Sequence, residues 1–212
     1  MLRILCYGDS NTWGYIPGTN HKRYNENEKY TKLLQKKLGE NYEVIEEGLN
    51  SRTLISNDDR PGKEGRNGLT YLKPCLDSHD KIDFLIIMLG TNELKSCYNN
   101  SPEDIMKMIK QYLDLITNYK SQIDKSHPNL IICGIPIVNE NTIYCSNNSK
   151  YQGANKKQLS LSMLLEDFCN KNNINYINNN ELEVGIDGVH LTKESHLKLA
   201  EKLCNSILKC KM

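Results

Sequence analysis

The stretch Asp83-Phe84-Leu85-Ile86-Ile87-Met88-Leu89-Gly90-Thr91-Asn92 runs from an acid through an unbroken apolar segment into Gly-Thr-Asn. A strand with one wet face alternates apolar and polar residues. This one does not, so both of its faces are buried, as in a parallel sheet covered by helices on each side. Runs of the same character recur at 2–7, 42–46, 129–134 and 174–177. Between them lie helix-like segments at 26–38, 68–78, 102–125, 154–172 and 193–211. In the last, Leu197, Ala200, Leu203, Cys204, Ile207 and Leu208 recur at three-and-four spacing with lysines between, predicting an amphipathic helix on the sheet. Ser101-Pro102-Glu103-Asp104 is a helix start, with Ser as N-cap, Pro first and acids in the opening turn. The alternation predicts a three-layer α/β/α fold with a five-stranded parallel sheet, in a single domain over residues 1–212.

The chain of 212 residues is long enough to bury a sizeable core. Its 27 basic and 26 acidic residues are spread evenly, and the net charge of +1 leaves no basic stripe of the kind that binds nucleic acid. No segment has the roughly eighteen apolar residues that span a bilayer, and no signal peptide is read at the N-terminus. The eight cysteines are scattered without a C-x-x-C pair. Reduced thiols, a cytoplasmic location and no metal site are the expectation. The segments 48–68 and 135–153 are longer than a connection requires. Both are expected at the carboxyl edge of the sheet, where open α/β folds bind ligands.

Ser10 leaves the first strand in Tyr7-Gly8-Asp9-Ser10-Asn11-Thr12, and Asp187-Gly188-Val189-His190 lies near the other end of the chain. A serine hydroxyl is a poor nucleophile unless an imidazole takes its proton, and the imidazole works best when a carboxylate fixes its tautomer. The alternative for Ser10 is a helix cap or turn residue. Thr12 stands where G-x-S-x-G has its last glycine, and Ser10 comes too early for a nucleophile elbow, so the ordinary α/β-hydrolase fold is disfavoured. Asn92 follows the most apolar strand. It either closes a turn or aims its amide at the oxyanion of a tetrahedral intermediate. The loop Gly48-Leu49-Asn50-Ser51-Arg52-Thr53 offers either a tight turn or a further backbone donor. His21, His79, His127 and His196 have surface or packing settings. A non-catalytic rival is a phosphate-binding turn at residues 8–12, but it has no lysine of the P-loop kind and leaves Asp187 and His190 unused.

Gly8-Asp9-Ser10, Gly90-Thr91-Asn92 and Asp187-Gly188-Val189-His190 resemble blocks of the SGNH (GDSL-type) hydrolases. Val44-Ile45-Glu46-Glu47-Gly48-Leu49-Asn50-Ser51-Arg52-Thr53 and Asn67-Gly68-Leu69-Thr70-Tyr71-Leu72 are similar to the mycobacterial arylesterase/acyltransferase group within it. The resemblance implies a flavodoxin-like sheet, Ser10 as nucleophile, His190 as base and Asp187 as its orienter. It also implies an oxyanion hole of the Ser10 N–H, the Ser51 N–H and the Asn92 side chain. Many members carry Gly where this chain has Ser51, but a backbone donor does not depend on the side chain. The expected activity is hydrolysis of short-chain, acetyl-type esters of small molecules without metal or organic cofactor. Transfer of the acyl group to an alcohol or sugar is the alternative. Self-association through the loop at 48–68 is a further implication. Trp13, Tyr15 and the segment 135–153 are candidates for the pocket wall, with core packing an equal explanation for Trp13.

Overall fold

Every residue of β3 (Phe84–Met88) is buried, as its lack of polar alternation requires. A computed structural model describes residues 1–58 and 60–210. β3 lies at the centre of a sheet completed by β1 (Leu2–Gly8), β2 (Tyr42–Gly48), β4 (Asn129–Cys133) and β5 (Asn175–Ile177). The order is β2-β1-β3-β4-β5, and every pairing is parallel. This is the flavodoxin-like order, and the fold class expected from the sequence is the one observed.

The helices are α1 (Ser10–Trp13), α2 (Tyr30–Leu38), α3 (Gly68–Ser78), α4 (Pro102–Asn118), α5 (Ile143–Asn148), α6 (Ala154–Lys171) and α7 (Lys193–Lys209). α2 packs on α7, while α4 packs on α3 and α6. Right-handed crossovers that reverse direction after β2 put these two groups on opposite faces of the sheet. The Ser101 cap of α4 is a complete capping box with Asp104. No helix among the described residues is long and apolar enough to cross a membrane. All eight cysteines are free, and only Cys97 and Cys210 are exposed.

Several boundaries differ from the periodicity. α2 begins at Tyr30 rather than 26, because the Asn25 side chain takes the Asn27 N–H at 2.8 Å and holds a turn there. α4 stops at Asn118, where the Ser121 N–H donates to the Ser126 carbonyl at 2.9 Å and closes a loop instead. The expected end of α7 at 211 lies outside the described residues. Leu197 and Leu208 of its expected apolar stripe are each 44% exposed, and the buried face is instead Ser195, His196, Leu199, Ala200, Leu203, Cys204 and Ile207. α5 arises inside the segment 135–153, started by Thr142 accepting from the Cys145 N–H at 3.3 Å.

The register sets up the site. Gly8, the last residue of β1, is level with Gly48 of β2 and Met88 of β3. The residues that follow each strand therefore emerge side by side, at the point where the chain switches direction between β1 and β3. Gly48 is needed there: a Cβ on it would lie 2.2 Å from the Trp13 nitrogen, so only glycine lets α1 sit against β2.

Candidate active site

Ser10 is the first residue of α1, and it is Asp9, not Ser10, that caps the helix by accepting from the Asn11 N–H at 2.9 Å. That leaves the Ser10 hydroxyl free of the capping role. Its Oγ lies 2.9 Å from His190 Nε2, and His190 Nδ1 lies 2.7 Å from Asp187 Oδ2. A carboxylate at Nδ1 holds the imidazole proton there, so Nε2 is the acceptor for the serine hydroxyl.

The carboxylate is itself held on both oxygens. Asp187 Oδ1 accepts the Val189 and His190 N–H groups at 3.0 Å each, and Oδ2 accepts the Gly18 N–H at 3.0 Å. Burial pushes this carboxyl up, but the hydrogen bonds and charge of His190 outweigh it and hold the group at about 2. It is ionised at neutral pH. The turn between Asp187 and His190 depends on Gly188, with φ of +74° and no room for a Cβ beside the Asn139 carbonyl.

Two side chains fix this arrangement that sequence reasoning did not single out. Asn11 Oδ1 accepts the Leu191 N–H at 2.9 Å and so ties α1 to the histidine turn. Arg52 is buried with its guanidinium 4.1 Å over the Tyr7 ring, donating to the Gly8 carbonyl at 3.0 Å and to the Glu47 carbonyl. An isolated Arg in a loop reads as a surface charge, so only the fold reveals that it clamps the ends of β1 and β2. Tyr15 stacks on His190 with ring centroids 4.3 Å apart and closes one side of the imidazole.

Asn92 opens a 3-10 turn after β3 and is buried. Its Nδ2 donates one hydrogen to the Arg52 carbonyl at 2.8 Å, which fixes the amide and leaves the second hydrogen available. Ser51 has φ of +68°, the left-handed region that costs a serine about 1–2 kcal/mol relative to glycine. The conformation is the reason a glycine suits this place. No acceptor among the described residues takes the Ser51 N–H. The Ser10 N–H, at a helix start, has no acceptor within its helix.

Ser10, Ser51, Asn92 and His190 line one cavity of about 530 Å³. Tyr15, Tyr144, Lys150 and Tyr151 are also in its wall, so the segments named for the wall contribute to it, but Trp13 does not. Arg23 lies 5.1 Å over the Trp13 ring instead. His196 is fully buried, accepts the Tyr30 N–H at 3.3 Å, and is away from this chemistry.

The arrangement can deprotonate a hydroxyl while presenting N–H donors to an adjacent carbonyl oxygen, which is the requirement for acyl transfer. The model of the GDSL-like Lipase/Acylhydrolase family matches residues 4–203. No curated protein matches the chain in sequence. Among solved structures, Est24, a carbohydrate acetylesterase from Sinorhizobium meliloti, superposes with a TM-score of 0.91 at 28% identity, covering 99% of this chain and 100% of its own. The inhibitor-bound aryl esterase of M. smegmatis gives a TM-score of 0.91 at 27% identity, covering 99% of each chain. A lipase/acylhydrolase from Enterococcus faecalis shares the fold, with a TM-score of 0.73 at 16% identity over 99% of this chain and 97% of its own.

Proposed function

This chain belongs to the GDSL-like lipase/acylhydrolase family and is a carboxylic ester hydrolase, and from that premise we propose that it cleaves short-chain, acetyl-type esters through an acyl-enzyme on Ser10. The observation that carries the reading is the continuous hydrogen-bonded series Ser10 Oγ, His190 Nε2, His190 Nδ1 and Asp187 Oδ2.

In the first step His190 Nε2 takes the Ser10 proton as Oγ bonds to the ester carbonyl carbon. The carbonyl oxygen becomes negative and is met by the N–H groups of Ser10 and Ser51 and the second Asn92 hydrogen. Asp187 stabilises the imidazolium without taking its proton. The ester C–O bond then breaks, and His190 returns the proton to the departing alcohol. Water attacks the acyl-enzyme by the same route in reverse and releases the acid. An alcohol in the place of water would make the site an acyltransferase, and the product ratio with added alcohol measures that share.

The acetyl preference is supported by the wall of the cavity. Most of its lining residues are polar, Asn20, Asn50, Lys63 and Lys95 among them, which favours a short acyl group over a long alkyl chain. The printed activity of Est24, a carbohydrate acetylesterase, agrees with it. The free cysteines support a reducing, cytoplasmic setting.

The test is turnover of p-nitrophenyl acetate, butyrate and octanoate by the wild type and Ser10→Ala, with an organophosphate label located by mass spectrometry. Label on Ser10 and a rate that falls from acetate to octanoate are expected. Label elsewhere, or turnover retained by a folded Ser10→Ala protein, would remove Ser10 from the mechanism.

A further inference from the structure

Beyond the reacting atoms the cavity wall is charged with one sign. Lys63 comes from the loop after β2, Lys95 from the turn after β3 and Lys150 from the segment after β4, and all three line the cavity that holds Ser10 and His190. Arg60 joins them but is already engaged, with Nε at 2.7 Å and Nη2 at 2.5 Å from the Asp58 carboxylate. Among the described residues, Lys63, Lys95 and Lys150 have no carboxylate within 4.0 Å.

Lys95 makes this more than a solvated basic rim, because it is only 4% exposed. A buried ammonium without a partner is costly and is kept only where something compensates it. Burial, then Lys150 and Arg60, push Lys95 down to about 8, and burial and Arg60 push Lys150 down as well. Lys95 still carries its proton at neutral pH. Asp58 is the acid that acts on both Lys95 and Lys150, but its carboxylate is bonded to Arg60, and burial raises the buried acids Asp9 and Glu93, Glu93 to about 7. One ionised carboxylate shared with Arg60 leaves the cations of the wall in excess. Among the described residues the cavity wall thus holds more positive than negative charge, and a negative group on the ligand would balance it.

We propose that the alcohol half of the ester bears an anionic group, a carboxylate or a phosphate, bound among Lys63, Lys95 and Lys150. The assignment rests on the esterase reading and on its short acyl group. With an acetyl group placed against Ser10 and Asn92, the remaining volume falls to the alcohol. Tyr15, Tyr144 and Tyr151 give that half flat apolar surfaces, and the lysines give it charge-assisted hydrogen bonds.

The experiment compares 4-acetoxybenzoate with its uncharged amide, 4-acetoxybenzamide, on the full-length protein at low salt. A kcat/KM ratio favouring the anion by about tenfold or more is expected, the worth of one charge-assisted contact. Lys95→Gln and Lys150→Gln should each bring the ratio towards one, and added salt should shrink it in the wild type. Equal turnover of both acetates overturns the proposal while leaving the esterase standing. So does a preference for an anion on the acyl side, read with p-nitrophenyl hemisuccinate against p-nitrophenyl butyrate. If neither acetate is cleaved, the esterase reading fails on its own. Calorimetric binding of 4-acetoxybenzoate to Ser10→Ala then still decides the charge: binding lost in the Lys95→Gln background upholds the anion site, and no binding overturns it. Competitive inhibition by benzoate or by phenyl phosphate identifies the preferred oxyanion, and inhibition by neither overturns the proposal.

Discussion

The side chains of Ser10 and His190 in the cavity wall are bonded to one another, whereas those of Lys63, Lys95 and Lys150 are not paired with a carboxylate among the described residues. In the first set Asp187 accepts four hydrogen bonds, Asn11 ties α1 to the histidine turn and Arg52 locks the strand ends. In the second, the segments of Lys95 and Lys150 are joined through the Ser96 N–H and the Lys150 carbonyl at 2.8 Å, but the three cations have no carboxylate within reach among the described residues. The difference divides the labour of the proposed enzyme. Groups that must hold a geometry are satisfied within the protein, so they do not rearrange when substrate arrives. Groups that recognise a substrate are left unsatisfied, so that the substrate completes them.

The comparison breaks first at Ser10. Ser10→Ala should lower kcat on p-nitrophenyl acetate on the order of 10⁶-fold with an unchanged circular dichroism spectrum. A loss under about tenfold would mean that the bonded set is only structural. Asp187→Asn keeps the shape but favours the wrong tautomer of His190, and a loss of roughly 10³- to 10⁴-fold in kcat is expected from steady-state rates. Next comes Asn92→Ala, at about 10²- to 10³-fold in kcat if the amide donates to the oxyanion. A change below about threefold would return Asn92 to the turn it also forms with Arg52.

The smallest effect concerns stability rather than rate. Burial holds the His196 imidazole down to about 3, against 6.5 in the unfolded chain. A base with a depressed folded value contributes stability that is full above 6.5 and is lost as pH falls from there toward 3. Urea midpoints should therefore decline over that window. In His196→Gln, whose amide oxygen can still accept the Tyr30 N–H, the decline should be shallower. Parallel slopes in the two proteins would show that His196 does not set this dependence.

The fold was largely legible because its signals are local. Phe84 to Met88 needs no partner to be recognised as a strand buried on both faces, and Ser101 with Asp104 announces α4 on its own. Boundaries were less legible where a side chain competes with the helix, as Asn25 does before α2. Leu197 and Leu208 fit the three-and-four pattern of α7, yet packing against α2 buried the face through His196 instead. For the site, Ser10, Asn92, Asp187 and His190 each stand in a short block with its own turn residues. Asn11 and Arg52 stand in the blocks of Ser10 and Ser51 and the three lysines in none, but what each of them does is set by partners that only the fold brings near.

By itself the sequence determined the parallel sheet, the order of its elements and the residue types able to perform acyl transfer, since periodicity and short turns are properties of neighbouring residues. Tertiary structure alone decided that Gly8, Gly48 and Met88 end at one level, that Ser51 takes a left-handed conformation and that Lys95 is buried in the wall of the cavity that Ser10 and His190 line. Those outcomes depend on strand register and on the burial of charge, and both are set by contacts between segments that the chain keeps distant until it folds.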